Sequence, residues 1–335
     1  MGLAKFGQKQ YPSALVRSWA SVRAEVFQFS FLLLSSSSVT ILGSGSGQTN
    51  FKFPAFAKPC PLVARRFETL QFLRMIEFRN PNCVVPPGSE KQILSHPIIQ
   101  NEAIELAIFQ EHRYAFFFWA KWTRQNNFTK PPCLVSFDWH QDLCYPCETE
   151  MEWLNNLDIT SDSEIAVFCW AKLAGNNDGH ILSAAYLNLI SDIYVLCRQG
   201  TYESDWEDEQ MIDRFGNSHL IKKFKTVEKL EAFLISTEEN HTYFDIDLDF
   251  FTYDNPYNGV GIEFTYMEEL EMESFLSLEN SLINWIFKRL RGFTIATEPK
   301  HCGGLLKSNK ILDIINSIYF TPDIFTQDCN WKHKS

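Results

Sequence analysis

The chain has 335 residues, 45% of them hydrophobic and 15% aromatic, enough for one large domain or two small ones with a sizeable core. A formal net charge of −11 argues against a nucleic-acid surface. Nine cysteines in a chain this long, several inside apolar runs (Cys133, Cys169, Cys197), do not describe a disulfide scaffold and fit a reducing compartment.

The charge is uneven. Residues 1–74 hold 9 Lys/Arg against 2 Asp/Glu, a net of +7, and the remainder holds 21 against 39, a net of −18. Lys5, Lys9, Arg17 and Arg23 precede "FSFLLLSSSSVTIL" and "GSGSGQTN". The apolar part is too short and too serine-rich to span a bilayer, so no membrane partner is expected. A secretory signal would have a long n-region and a weak cleavage site, which leaves two readings of this leader ahead of it: a transit peptide of a mitochondrion or plastid, or a poorly ordered extension upstream of an alternative start at Met75. The first implies an organelle and the second the cytoplasm. The expected organisation is a leader over 1–74, with a flexible Gly/Ser linker at 43–47, and a domain over 75–330.

From about residue 95, short apolar strands alternate with amphipathic helices. "IELAIF" (104–109) and "CLVSFD" (133–138) read as strands, "HILSAAYLNLI" (180–190) as a helix and "DIYVLC" (192–197) as a strand. The acidic segment 201–213 reads as a solvated loop. "TVEKLEAFLIS" (226–236) is a helix with Thr226 at its N-cap. "TYFDID" is a strand, and 266–290 reads as one long helix, acidic at its start and basic at its end. "GFTIAT" (292–297) is a strand and 305–320 a last helix. This order implies a mainly parallel sheet covered by helices on both faces, with ligands at the carboxyl ends of the strands.

Those ends are polar. Glu111-His112 follows the first strand, Asp138, His140 and Asp142 follow the second, Asp245, Asp247 and Asp249 stand in "YFDIDLDFF", and Glu298 follows "GFTIAT". In "YFDIDLDFF" the period of two puts the three aspartates on one face and Phe244, Ile246, Leu248 and Phe250 on the other. Three neighbouring carboxylates repel one another, and burying them unpaired costs several kcal/mol. Each motif alone has a plain alternative: a chance loop D-x-H-x-D, a solvated edge strand, a satisfied core histidine. Their joint placement at four strand ends points instead to a metal centre. His112, Asp138, His140, Asp142, Asp245 and Asp247 are six ligands for two divalent ions; carboxylate with imidazole suits Mn2+, Fe2+ or Zn2+, and carboxylate-rich sets favour Mn2+. Cys144-x-x-Cys147 lacks a second pair to complete a zinc site and reads as incidental.

The motifs "QEHRYAFFFW", "FDWHQDL", "NDGHILSAAYLNLI", "DIDLDFF" and "TIATEPKHCGG", in this order over about residues 95–320, resemble the arginase/deacetylase (ureohydrolase) superfamily, and within it a branch that includes peptide arginases. The resemblance implies a three-layer α/β/α sandwich and a binuclear manganese hydrolase. Carried over by position, His112, Asp138 and Asp142 match the ligands of one ion, Asp138 and Asp245 bridge, and His140 and Asp247 complete the second. His180 matches a proton-shuttling histidine, Glu298 the acid that pairs with a guanidinium, and Asp142 an acceptor of the attacking water's proton. Two departures stand out. Asp249 follows Asp247 by two positions where arginases space it by three, which leaves it outside the ligand set, and the loop between Asp142 and His180 is much longer than in arginases.

The implied reaction releases urea and leaves an ornithine side chain, with arginine in a peptide or protein as substrate. Two alternatives remain at this stage: a zinc-dependent deacetylase or amidohydrolase of the same fold, and a binding protein that keeps the fold without catalysis.

Overall fold

The computed structural model describes residues 84–126, 128–254, 264–326 and 328–334. The leader and the proposed boundary near residue 75 lie outside them. No described helix is long and apolar enough to cross a membrane.

The first two strands, β1 (Glu90–Ser95) and β2 (Ala103–Phe109), form an antiparallel pair. Helix α1 (Ala115–Asn126) follows, then β3 (Cys133–Asp138), α2 (Glu148–Asn155), α3 (Asp162–Ala171), α4 (His180–Tyr186) and β4 (Ile193–Cys197). A hairpin of β5 (Glu209–Ile212) and β6 (Ser218–Phe224) precedes α5 (Val227–Ile235) and β7 (Thr242–Asp247). The remainder comprises β8 (Thr252–Asp254) paired with β9 (Thr265–Tyr266), α6 (Glu269–Leu276), α7 (Ser281–Arg289), β10 (Leu290–Ala296), α8 (Leu305–Tyr319), and β11 (Phe320–Thr321) paired with β12 (Asn330–Trp331).

Eight of these strands make one sheet in the order β1-β2-β10-β7-β3-β4-β6-β5. The six inner strands run parallel and only the edges β1 and β5 are antiparallel. Alternation along the inner strands divides the core into two layers. Ile108, Phe137, Leu196, Phe244, Ile246, Phe293 and Ile295 face one apolar cluster, closed by α5, α6, α7 and α8. Ala107, Leu134, Ile193, Val195 and Tyr243 face the other, closed by α1, α2, α3 and α4. The three-layer α/β/α sandwich with a mainly parallel sheet that the sequence implies is therefore the observed architecture.

Four local expectations differ from the structure. The helix expected over 180–190 stops at Tyr186, because Asn188 enters the left-handed region (φ 55) and Leu189 N–H closes onto the Ala184 carbonyl at 2.9 Å. The helix expected over 266–290 is two helices. Ser277 is extended, and the Asn280 side chain starts α7 by accepting from Leu282 N–H at 3.0 Å. The acidic loop 201–213 contains the edge strand β5, whose Glu209 pairs with Lys223 of β6. The strand through "FDIDLD" ends at Asp247. Leu248–Phe251 form a 3-10 turn, which Asp247 caps by accepting from Asp249 N–H at 3.1 Å.

The sheet positions the site. From β3 the chain moves through β4 toward β6, and from β7 it moves the opposite way to β10. The carboxyl ends of the adjacent strands β3 and β7 thus flank a topological switch point, where a crevice opens in such sheets. Ser136, Asp138, Asp245, Asp247 and Thr294 alternate with the residues of the first cluster and so share the face covered by α1 to α4.

Candidate metal centre

His112 sits in a 3-10 turn after β2, is fully buried, and presents both ring nitrogens to carboxylates. Its Nε2 lies 2.7 Å from Asp245 Oδ2. Its Nδ1 lies 3.0 Å from Asp142 Oδ2, 3.2 Å from Asp247 Oδ2 and 3.4 Å from Asp138 Oδ2. A histidine that donates from one nitrogen to a carboxylate offers the lone pair of the other, the arrangement found behind metal-ligating imidazoles. Assigned from this network, Nε2–H donates to Asp245, and Nδ1 faces three carboxylates, protonated without a cation and free to offer its lone pair to one.

Asp245 is therefore placed differently from its neighbours. It accepts from Ser136 Oγ at 2.8 Å and from Thr294 Oγ1 at 2.6 Å. Burial alone would raise its pKa, but the His112 ring and the Thr294 hydroxyl hold it below the usual carboxylate range. The structure puts Asp245 behind His112 and outside the groups whose donor atoms converge, while Asp249 is inside one of them. The turn at 248–251 causes this, because it swings Asp249 off the strand toward the end of β3. There Asp249 Oδ1 accepts from Trp139 N–H at 3.0 Å, and Oδ2 lies 3.0 Å from His140 Nδ1.

Asp138, the last residue of β3, stands between two clusters. Its Oδ2 faces His112, and its Oδ1 lies 3.7 Å from His140 Nδ1 and accepts from His140 N–H at 2.6 Å. On one side His112 gathers Asp138, Asp142 and Asp247, and on the other His140 gathers Asp138 and Asp249; Asp142 also converges with Asp138 and His140, and His180 with His112 and Asp142. Asp138 offers one oxygen to each.

Asp142 lines the cleft and reaches the first cluster from a left-handed backbone position (φ 50). Asn177 (φ 64) and Glu298 (φ 28) share this uncommon conformation, and all three lie at the site. Strained backbone of this kind concentrates where a side chain is held for a function.

Glu298 follows β10 and is 5% exposed. Its Oε1 accepts from His112 N–H at 3.0 Å and from the Asn177 amide. Its Oε2 lies 3.8 Å from His301 Nε2. Glu298 lines a cleft of about 320 Å³ together with His140, Asp142, Asn177, Gln199 and His301.

His180 opens α4 and is fully buried. Its ring centroid is 4.2 Å from that of His112, it stacks on Trp119, and its Nδ1 is 2.8 Å from the Asn177 carbonyl. Burial first, and then the charge of His112, hold its pKa well below the usual imidazole value. His180 borders the first cluster, since donor atoms of His112, Asp142 and His180 lie within 4.8 Å of one another, and it is buried from solvent, whereas His301 stands at the cleft. Asn177, Thr294 and His301 lie in motifs of the resemblance, but neither they nor Ser136 received a role from the sequence. Each acts through a partner far along the chain, and neither spacing nor periodicity reveals that.

The electrostatics test whether cations fit. His112 Nδ1, Asp138 Oδ2, His180 Nε2 and Asp249 Oδ2 are buried and make no hydrogen bond. Burial, with the charges of Asp142 and Asp249, pushes Asp138 up to about 8, and burial pushes Asp142 up to about 6. Burial pushes Asp247 and Glu298 well above their ordinary values, aided by Asp249 and Asp247 respectively. Burial would lower His112, but Asp245, Asp142 and Asp247 outweigh it and raise it well above the usual value. Carboxylates this close and this dry keep protons or face a cation. Lone pairs of buried oxygen and nitrogen converge here, and oxygen with imidazole is the donor chemistry of divalent transition ions. The residues fit metal.

No family model matches the chain, and no curated protein does. Among solved structures the chain is similar to proclavaminate amidino hydrolase from Streptomyces clavuligerus, at 12% identity and a TM-score of 0.36, over 62% of this chain and 59% of that one. It is similar also to Helicobacter pylori arginase, at 16% identity and a TM-score of 0.33, over 63% of this chain and 73% of that one. The match thus spans less than two thirds of the first of these proteins.

Proposed function

We propose that this chain is a binuclear metal-dependent hydrolase that cleaves a C–N bond of a guanidinium group, with an arginine side chain of a peptide or protein as substrate and urea and an ornithine side chain as products. The observation that carries the reading is the convergence of carboxylate and imidazole donors around Asp138, which faces His112 through Oδ2 and His140 through Oδ1, with Glu298 in the wall of the adjoining cleft.

His112, Asp142 and Asp247 would hold one ion and His140 and Asp249 the other, with Asp138 shared between them. The carboxylate-rich first cluster favours Mn2+, and Fe2+ and Zn2+ are the alternatives. Bound divalent ions supply Lewis acidity and lower the pKa of water toward neutrality.

The chain's own residues do the rest. Asp245 holds the His112 ring in one tautomer. The amides of His112 and Asn177 pin Glu298 Oε1, which leaves Oε2 for the N–H groups of a cationic guanidinium. A cation beside Glu298 offsets the neighbouring acids and favours its ionised form. Asp142 lines the cleft at the edge of the first cluster, within reach to accept a proton and return it to a leaving amine. His180, buried against His112 with Asp142 Oδ2 4.0 Å from its Nδ1, would relay protons from Asp142. The polar residues Gln141, Asn176, Asp178 and Gln199 line the cleft and suit a side chain entering from a larger chain.

Glu298→Gln keeps the shape of the side chain and removes its charge. It is expected to lower urea release about 10- to 100-fold, the loss of one charge-assisted hydrogen bond in the transition state, while bound metal per chain is unchanged. Equal turnover by this variant and the parent would exclude guanidinium chemistry at Glu298. Two bound ions with cleavage of amides and no urea would keep the centre and move the activity to an amidohydrolase.

A further inference from the structure

The turn after β10 delivers two side chains to the cleft, and only Glu298 has a role so far. The other is His301. The turn is tightly built: His301 N–H and Cys302 N–H both donate to the Glu298 carbonyl, at 2.9 and 3.1 Å, and Gly304 N–H donates to the Pro299 carbonyl at 2.7 Å. Tyr266 Oη donates to the Cys302 carbonyl at 3.2 Å. Gly303, at φ 78, lets Tyr266 approach so closely that an added Cβ would fall 2.3 Å from its hydroxyl. His301 is thus set in position by backbone geometry.

It is set beside the second cluster. Donor atoms of His140, Asp249 and His301 all lie within 4.8 Å of one another, and the His140 and His301 rings stand edge to face with centroids 5.2 Å apart. Without His301 the second cluster has one imidazole, Asp249 and a shared oxygen of Asp138, and a second imidazole there adds a donor of the type transition ions favour while still leaving a position for water. We infer that His301 is a ligand of the second ion, so that this sub-site comprises Asp138, His140, Asp249 and His301. The inference rests on the metal-centre reading above and extends it by a residue from the turn after β10, which also supplies Glu298. Metal binding and guanidinium recognition then share one rigid turn.

The test titrates the metal-stripped full chain with Co2+ and with Zn2+, reading ions bound per chain by calorimetry and the visible absorption of the cobalt form. The parent is expected to bind two ions. His301→Ala is expected to keep the first ion at unchanged affinity, to bind the second at least about 10-fold more weakly, and to change the cobalt spectrum. Added imidazole should restore both readings, since His301 lies at the cleft with 19% of its side chain exposed; a residue that merely shaped the wall would not respond to imidazole. His301→Gln, closer in size, carries the test if the alanine variant does not fold. Two ions at unchanged affinities, with an unchanged spectrum, would overturn the ligand role and leave the metal centre standing. A parent chain that binds no ion would remove the centre itself.

Discussion

At the scale of single residues, the buried donors are ordered by what stands behind them. Asp245 holds His112 through Nε2, and its oxygens are in turn fixed by Ser136 and Thr294. Asp245→Asn weakens that hold and turns a carboxylate into an amide that competes for the same partners. Metal affinity should then fall about 10- to 100-fold while the far-ultraviolet spectrum is retained; calorimetric titration measures it. Asp138 gives a pH prediction. Its pKa is about 8 in the metal-free fold, against 3.8 for an unperturbed side chain. Between those values the folded state binds more protons than the unfolded one, so this group's contribution to stability falls as pH rises. Thermal melts of the metal-free chain should therefore show a decreasing midpoint from about pH 5 to pH 8 from this cause, and the decrease should flatten when ions occupy the centre. His112, Asp138, His140, Asp142 and Glu298 were legible in the sequence because each lies at or just beyond a strand end. The distinct roles of Asp245 and Asp249 were not. Period two treats them as equivalent, and only the turn at 248–251 separates them.

At the scale of elements, close packing explains why the site's walls are held firmly. Helix α1 is buried all round from Ala115 to Trp122, with Lys121, paired with Glu105, the one charged residue of that stretch, which marks a helix packed within the core. It rests on β10 where Gly292 leaves room: an added Cβ would stand 2.2 Å from the Trp122 ring. Gly292→Ala is therefore expected to destabilise the fold by about 1–3 kcal/mol through overpacking, measured as a lower denaturant midpoint at unchanged slope. Asn280→Ala, which removes the N-cap of α7, is expected to cost about 1 kcal/mol. The same elements show what local sequence conveys. "TVEKLEAFLIS" carries its own cap and apolar face, and its helix lies within a residue of where it was expected at each end. The run 266–290 carries an unbroken helical pattern. Its division at Ser277–Asn280 depends on one side chain turning back to the backbone, a choice that composition does not record.

At the scale of the whole molecule, four strand ends meet at the switch point between β3 and β7, which brings residues from 112 to 298 into one centre. Alternating strands and helices were enough to infer the parallel sheet and the side on which ligands gather. The strand order, and so the adjacency of β2, β10, β7 and β3, follows from long-range pairing that the sequence does not display. Because the centre joins distant segments, bound metal should stabilise the fold as a unit. Free ion at 100 times its dissociation constant contributes about 2.7 kcal/mol, roughly a 5–10 °C rise in melting midpoint for a domain of this size, reversed by a chelator. The central claim is tested most directly by stripping the full chain of metal, reloading it with Mn2+, counting bound ions, and assaying urea release from an arginine-containing peptide and from free arginine. The structure and the proposed chemistry predict close to two ions per chain and urea from the peptide. One ion or none, with no urea from either substrate, would contradict them.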